Sequence, residues 1–517
     1  MTNWTRRGLG FVIGAVLLSA ADIYFRPPSQ TRLPMRPRNG HAFTVTPGPI
    51  IPIVAGDSPA VILAKAGSVI PSLQQLSWQR GERIGFIHFG MNTFTDREWG
   101  TGTENPNLFN PTALDARQWI RAFKSAGMTE VVLVVKHHDG FVLYPSRYTT
   151  HSVKASPWLG GKGDVMRAVT DAAKEYGLKV GFYLSPADLH EKQPGGTFGN
   201  HSKSVRTLIP TLVKGDDRHP TEFLRYDLDD YNRYFINQMY ELLTEYGTIS
   251  AVWLDGAPAA GTGQPYAFAA WYDIVHRLAP TAVIFNQNVR WVGNEDGFAR
   301  ETEWSVIPLA NDYNEQPSGD LTAADLGSRS KLLAPGVHFL AWYPAEADVS
   351  IRPGWFWHAA QDNKVKSLND LMKIYFGSVG RNATLILNVP PDRRGLFTDT
   401  DVKRLKELGD HITRTFGKNL AEGVPGSGSP AVFDMQKPVR FNVVMLGEDL
   451  KVGQRVESFA VDAWNGSDWN QIASGTTIGY KRLLQIPDVT AQKVRVRILK
   501  ARITPSIATF DLFLEPK

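Results

Sequence analysis

Between about residue 84 and residue 390 the chain alternates short apolar runs with stretches of helical periodicity, and no other feature narrows its fold so far. "TEVVLVVKHH" is apolar on both faces, as a parallel strand lying under helices must be. "RIGFIHFG", "LKVGFYLSP", "ISAVWLDG" and "TAVIFNQN" read the same way. A weaker segment near "ARETEWS", then "HFLAWYP" and "ATLILNVPP", bring the candidates to eight. Helices fill the gaps. Trp119, Ala122, Phe123 and Ala126 fall on one face before Gly127; Val165, Val169, Ala172 and Tyr176 do so before Gly177. A further helix is expected from Thr221 to Gly247. Alternation alone allows a doubly wound sheet, but eight strands over about 320 residues favour a (β/α)8-like barrel.

The flanks break this rhythm. "TRRGLGFVIGAVLLSAAD" sets Arg6 and Arg7 before an apolar stretch too short to span a membrane comfortably. Residues 1–21 read as a signal peptide that resembles a twin-arginine export signal, with an N-terminal anchor as the alternative. The expectation is an exported protein, periplasmic or extracellular, with no stable membrane insertion once the leader is removed. The absence of cysteine fits export after folding, or a core that needs no disulfides. Residues 22–70 are Pro-rich and read as a linker, and the barrel is expected over 71–418. Over 419–517 short alternating runs split by Gly, Asn, Asp and Pro spell a C-terminal β-sandwich, with a hairpin turn at Asn465-Gly466. The net charge of +5 is small for 517 residues and no block of like charge occurs, so nucleic acid is not an expected partner.

In a barrel the C-terminal ends of the strands share one face, where active sites lie. Reading those ends gathers His88, then Glu98 and Trp99 in the loop that follows, then His137, His138, Tyr183, Trp253, Asp255, Arg290 and Glu295. Each has a plain structural reading. Asp255 could cap the turn after its strand, a Trp is more often core than ligand platform, and Glu295 in "GNEDG" could be a solvated acid. Adjacent His137 and His138 point to opposite sides of a strand end, which disfavours a shared metal. Their joint occurrence on one rim weakens each plain reading. Two carboxylates among aromatic rings and histidines suit glycoside hydrolysis, one attacking the anomeric carbon and the other protonating the leaving oxygen.

Six stretches carry a family resemblance: "IHFGMNTFTDREWG", "KHHDGF", "GFYLSP", "VWLDG", "RWVGNEDG" and "NATLILNVPPDRRG". In this order they resemble the motif series of glycoside hydrolase family 29, the α-L-fucosidases. The resemblance implies a retaining, exo-acting enzyme on a (β/α)8-like barrel with a C-terminal β-sandwich, acting on fucosylated oligosaccharides or glycoconjugates without metal or cofactor. By it Asp255 matches the nucleophile, while His88, Glu98, Trp99, His137, His138, Tyr183 and Trp253 match positions that contact fucose. "RWVGNE" resembles the subgroup acting on α-1,3 and α-1,4 branch fucose and points to Glu295 as acid/base, with Arg290 assisting; Glu301 and Glu303 in "RETEWS" compete for that role. Tyr343 and Glu346 are expected on the rim. The C-terminal module resembles a discoidin-like carbohydrate-binding sandwich, with support of the barrel as the alternative role.

Two readings of other classes stand beside this one. A metal-dependent hydrolase would use His88, His137 and His138 together with carboxylate ligands, and would respond to chelation. A non-catalytic glycan-binding barrel would keep the pocket and release no free sugar.

Overall fold

The structure, a computed structural model, describes residues 45–216, 220, 222–255, 261–311 and 320–516. The expected signal peptide and residues 22–44 of the expected linker lie outside these residues. Eight parallel strands form the central sheet: β1 (Arg83–Ile87), β2 (Glu130–Lys136), β3 (Lys179–Leu184), β4 (Ile249–Trp253), β5 (Val283–Ile284), β6 (Arg290–Trp291), β7 (Ala345–Ser350) and β8 (Ala383–Asn388). Their order is β5-β4-β3-β2-β1-β8-β7-β6. The last strand therefore pairs with the first, as the (β/α)8-like barrel requires, and the seam falls between β5 and β6, where Phe285 bridges to Val289.

The sequence explains the regular part. Every residue of β2 is buried, consistent with its unbroken apolar run. Helix α1 (Ala116–Ser125) starts at Asp115, whose carboxylate accepts from the Gln118 amide at 3.1 Å. Helix α2 (Val165–Tyr176) starts likewise at Asp164 and ends at Gly177 with φ 74°. Both bury their apolar stripes. Phe123 of α1 lies so close to β1 that a Cβ on Gly85 would stand 2.7 Å from its ring.

The structure corrects three assignments. The segment after "ARETEWS" and the run "HFLAWYP" are strands, Val306–Leu309 and Phe339–Trp342, but they lie outside the barrel in a three-stranded antiparallel sheet, where Phe339–Trp342 pairs with Val306–Leu309 on one side and Ile50–Pro52 on the other. "HFLAWYP" is apolar because Leu340 and Trp342 pack into a separate cluster with Ile51 and Val69. The sixth and seventh barrel strands are instead β6 and β7, and β7 is fully buried although it carries Glu346 and Asp348. The helix expected from Thr221 begins later, as α3 (Asp230–Glu245); Leu224–Leu228 belongs to a hairpin with Val205–Ile209. The described part of the expected linker is ordered, with the strand Ile50–Pro52 and a helix Pro59–Ala66 that Ser58 caps.

The C-terminal strands form an antiparallel assembly around their own core of Phe441, Val444, Phe459, Val461 and Val494, consistent with the β-sandwich. Ala431–Glu448 and Arg482–Ala501 are long, and register shifts along their pairing let them bend. Asn465 and Gly466 turn the hairpin between Val456–Trp464 and Trp469–Gly475, with Gly466 at φ 108°. Among the described residues no helix is long and apolar enough to cross a membrane.

Candidate active site

Asp255 follows β4 on the face where the C-terminal strand ends meet. The Tyr183 hydroxyl, from β3, donates to Asp255 Oδ2 at 2.7 Å, and His138 Nε2 lies 4.0 Å from the same oxygen. The carboxylate keeps 32% of its surface, so it is open to a ligand. Burial and the neighbouring Asp255 push the Tyr183 phenol far above its ordinary pKa, so it remains a donor. Beneath, Trp253 stacks on Phe285 at 4.0 Å and leans on Phe86 at 5.1 Å, closing the barrel interior under the pocket.

Three histidines form one wall, and their hydrogen bonds fix their tautomers. Asn388 donates through Nδ2 to the Trp355 carbonyl at 2.8 Å, so its Oδ1 accepts from His88 Nδ1 at 2.9 Å. Ser185 donates to the Ala187 carbonyl and therefore accepts from His138 Nδ1 at 2.6 Å. Asn92 donates through Nδ2 to the Glu98 carbonyl and, at 3.3 Å, to His137 Nδ1. Burial lowers all three pKa values, that of His88 to about 3, so the rings are neutral. The wall therefore offers two Nε2 acceptors, on His88 and His138, and one Nε2–H donor, on His137. That mixture matches sugar hydroxyls, which both give and take hydrogen bonds.

Trp99 is 58% exposed and lies over His138 with ring centroids 4.1 Å apart. Glu98 is held by three donors: the amides of Trp355 and Phe356 at 2.9 and 3.4 Å, and His358 Nε2 at 2.6 Å. Gly354 permits this approach, since a Cβ there would stand 2.2 Å from Glu98 Oε1. Glu98 thus anchors the segment that brings Trp355 and Phe356 against His88, at 5.0 and 5.4 Å.

Glu295 is exposed in the loop after β6 and accepts from Trp355 Nε1 at 3.0 Å. Its competitors are committed elsewhere. Glu303 is buried between Arg290 and Arg300, and Glu301 pairs with Arg381 and with Arg482 of the C-terminal assembly. Arg290, expected to assist catalysis, is fully buried, with Nη2 bonded to Glu303 and the Trp304 carbonyl and Nε to the Tyr343 carbonyl. Tyr343 and Glu346, expected on the rim, are both buried. Tyr343 packs with Ile307 and Leu309, and Glu346 points its carboxyl where neither oxygen has a hydrogen-bond partner among the described residues. Burial raises the pKa of Glu346 well above the carboxylate range, with Asp348 adding to the effect, so it is a neutral acid.

Sequence reasoning missed Asp348. It sits two residues along β7 from Glu346, is 7% exposed, and accepts from Trp291 Nε1 at 2.7 Å. Burial lifts its pKa to about 7, and the charges of Glu295 and Asp255 both contribute. The in-phase polar residues Glu346, Asp348 and Ser350 could have flagged a strand with a polar inner face.

A model of the family described as Alpha-L-fucosidase matches residues 74–416. Alpha-L-fucosidase 1 of Arabidopsis thaliana is 38% identical over 488 residues, which cover 86% of this chain and 88% of that protein. Among solved structures, a glycoside hydrolase 29 family member from an unknown rumen bacterium is 35% identical, with a TM-score of 0.72 over 87% of this chain and 78% of that one. A Ruminococcus gnavus GH29 fucosidase solved in complex with fucose is 28% identical, with a TM-score of 0.71 over 87% of this chain and 95% of that one.

Proposed function

The chain belongs to the alpha-L-fucosidase family of glycoside hydrolases, and on that premise we propose that it removes terminal L-fucose with retention, by double displacement. Asp255 is the nucleophile and Glu295 the acid/base. The Asp255 carboxylate attacks the anomeric carbon as the glycosidic C–O bond breaks, and Glu295 gives its proton to the leaving oxygen. The fucosyl ester on Asp255 then falls to water, whose proton returns to Glu295. The observation that carries this reading is the Tyr183 donor on a partly open Asp255, with the Glu295 loop near enough that both carboxylates act on Asp348. Tyr183 would hold the nucleophile in place through its hydrogen bond to Oδ2. The histidine wall would take the fucose hydroxyls.

We further propose α-1,3 and α-1,4 branch fucose as the preferred linkage, supported by the likeness of "RWVGNEDG" to that subgroup. Remote contacts to the neighbouring sugar would supply binding energy for positioning. Export through the N-terminal leader belongs to the same reading; the mass of the mature protein, starting near residue 22, tests it.

The decisive assay is proton NMR of fucose released from branched and α-1,2-linked trisaccharides. α-Fucose should appear first, and faster from the branched substrate. First-formed β-fucose would remove the mechanism, and equal specificity constants would remove the linkage preference. Glu295→Ala should lose most on poor leaving groups, on the order of 10²–10⁴-fold, and azide should rescue it with retained configuration.

A further inference from the structure

The proposed mechanism uses two carboxylates, but the pocket holds a third. The side chain of Asp348 reaches the Glu295 loop by a specific route. Trp291 Nε1 donates both to Asp348 Oδ1 at 2.7 Å and to the carbonyl of Asn294 at 3.0 Å, the residue just before Glu295. The loop is braced within itself as well. Asn294 Nδ2 donates to the Phe298 carbonyl at 2.9 Å, and its Oδ1 accepts from the Asp296 amide at 3.1 Å. Glu295 thus emerges from a turn whose entry is pinned to Asp348 by one indole, and its own carboxylate meets a second indole, that of Trp355. Asp348 itself is 7% exposed, so this link lies inside the barrel.

The titratable groups acting on Asp348 are Glu295 from the loop after β6 and Asp255 from the end of β4; Glu346, on the same strand, in turn feels Asp348. Glu346 is neutral, so it contributes no fixed charge. Three carboxyl groups in one field do not titrate independently: once one has lost its proton, the next holds its own more tightly.

We propose that Asp348 is a positioning residue for the acid/base, holding the Glu295 loop through the Trp291 indole and setting, by its charge, the pH at which the site loses its acid. This rests on the reading of Glu295 as acid/base. The geometry and the charge can be separated by substitution. Asp348→Asn keeps an acceptor for Trp291 and removes the charge. Trp291→Phe keeps the charge and removes the link.

The test is the pH dependence of kcat/KM for a poor-leaving-group fucoside and for an activated aryl fucoside, in the full-length enzyme. Asp348→Asn should move the alkaline limb on the poor leaving group to lower pH by about 0.5–1 unit, the scale of one near like charge. Trp291→Phe should leave the limb in place and lower kcat about tenfold on the poor leaving group, with a smaller loss on the aryl fucoside. Asp348→Ser, a smaller neutral side chain, replaces Asn should that variant not fold. A limb that does not move in the neutral variant, or losses equal on both substrates, would overturn the proposal. Glu295→Ala with azide is measured beside them. If azide rescues it while the Asp348 limb stays put, only the role of Asp348 falls. If Glu295→Ala shows no leaving-group dependence, the underlying assignment falls instead.

Discussion

Replacing Glu303 should unfold the protein more readily while leaving the chemistry of folded molecules nearly intact. Glu303 is 1% exposed, and it neutralises Arg290, which is not exposed at all. Its other oxygen accepts from the Arg300 amide and from Arg300 Nη1, both at 3.2 Å. Burial already lowers the pKa of Arg290, and the Glu303 charge opposes that shift. Removing the carboxylate leaves a guanidinium desolvated and uncompensated, for which breaking a buried pair costs about 3–5 kcal/mol. Glu303→Gln keeps the shape and one acceptor and should lie at the low end, with Glu303→Ala at the high end. Either should lower the thermal midpoint by on the order of 10 °C. The assay pairs thermal unfolding with kcat/KM on the folded fraction well below the midpoint. A variant with a wild-type midpoint, a rate loss near 10²–10⁴-fold on poor leaving groups and rescue by azide would refute the reasoning. It would make Glu303 the acid.

Tyr183→Phe removes a hydrogen bond to a charged oxygen, worth about 1.5–3 kcal/mol, so kcat/KM should fall about 10–100-fold with little change in folding; an unchanged rate would deny Tyr183 a hold on Asp255. His358 reaches Asp96 and Glu98 through its two ring nitrogens, at 2.8 and 2.6 Å. Burial opposes its charge, but these bonds outweigh it and raise the pKa, so the stabilisation is full below the ordinary histidine value and fades as pH rises through the raised one. The stability gap between wild type and His358→Gln, about 0.5–1 kcal/mol after solvent screening, should therefore close as pH rises from the ordinary histidine value through the raised one, and a gap that stays constant across that titration would contradict the doubly bonded imidazolium. Gly85→Ala should cost about 1–3 kcal/mol by forcing Phe123 off β1; denaturant midpoints decide it.

What the sequence revealed followed from how uniformly each element is buried. β2 is legible because both its faces meet apolar neighbours, and α1 and α2 because their apolar stripes and Asp caps agree. β7 was hidden because its two faces differ. Ala345 and Ala347 pack outward with Val292, while Glu346 and Asp348 interrupt any apolar run. The run "HFLAWYP" misled for the opposite reason: it is buried on both faces, but by an antiparallel sheet that involves Ile50–Pro52, some 290 positions away by sequence number. Among site residues, those at the ends of legible strands were found together: His88, His138, Tyr183, Trp253 and Asp255. Arg290 was misjudged because a barrel strand only two residues long gives no signal of which side its arginine faces. Asp348 went unseen with the strand that carries it.

The carboxyl groups of this barrel differ by depth, and their surroundings differ in step. Glu346 is fully buried, with no hydrogen-bond partner among the described residues, and is forced neutral. Asp348, bonded by one indole, balances near neutral pH. Asp255 and Glu295 keep contact with solvent, and they meet donors of different kinds, a phenol at Asp255 and an indole at Glu295. A phenol of raised pKa gives its hydrogen bond without giving up its proton, so it can support a carboxylate through the attack on carbon. An indole N–H never releases its proton, so it can hold a carboxyl that must lose and regain one while taking no part in the exchange. An acid that alternates between protonated and ionised forms needs a partner that stays fixed and a loop that stays in place. Trp355 supplies the first at Glu295, and Asp348, bonded to Trp291, is placed to supply the second.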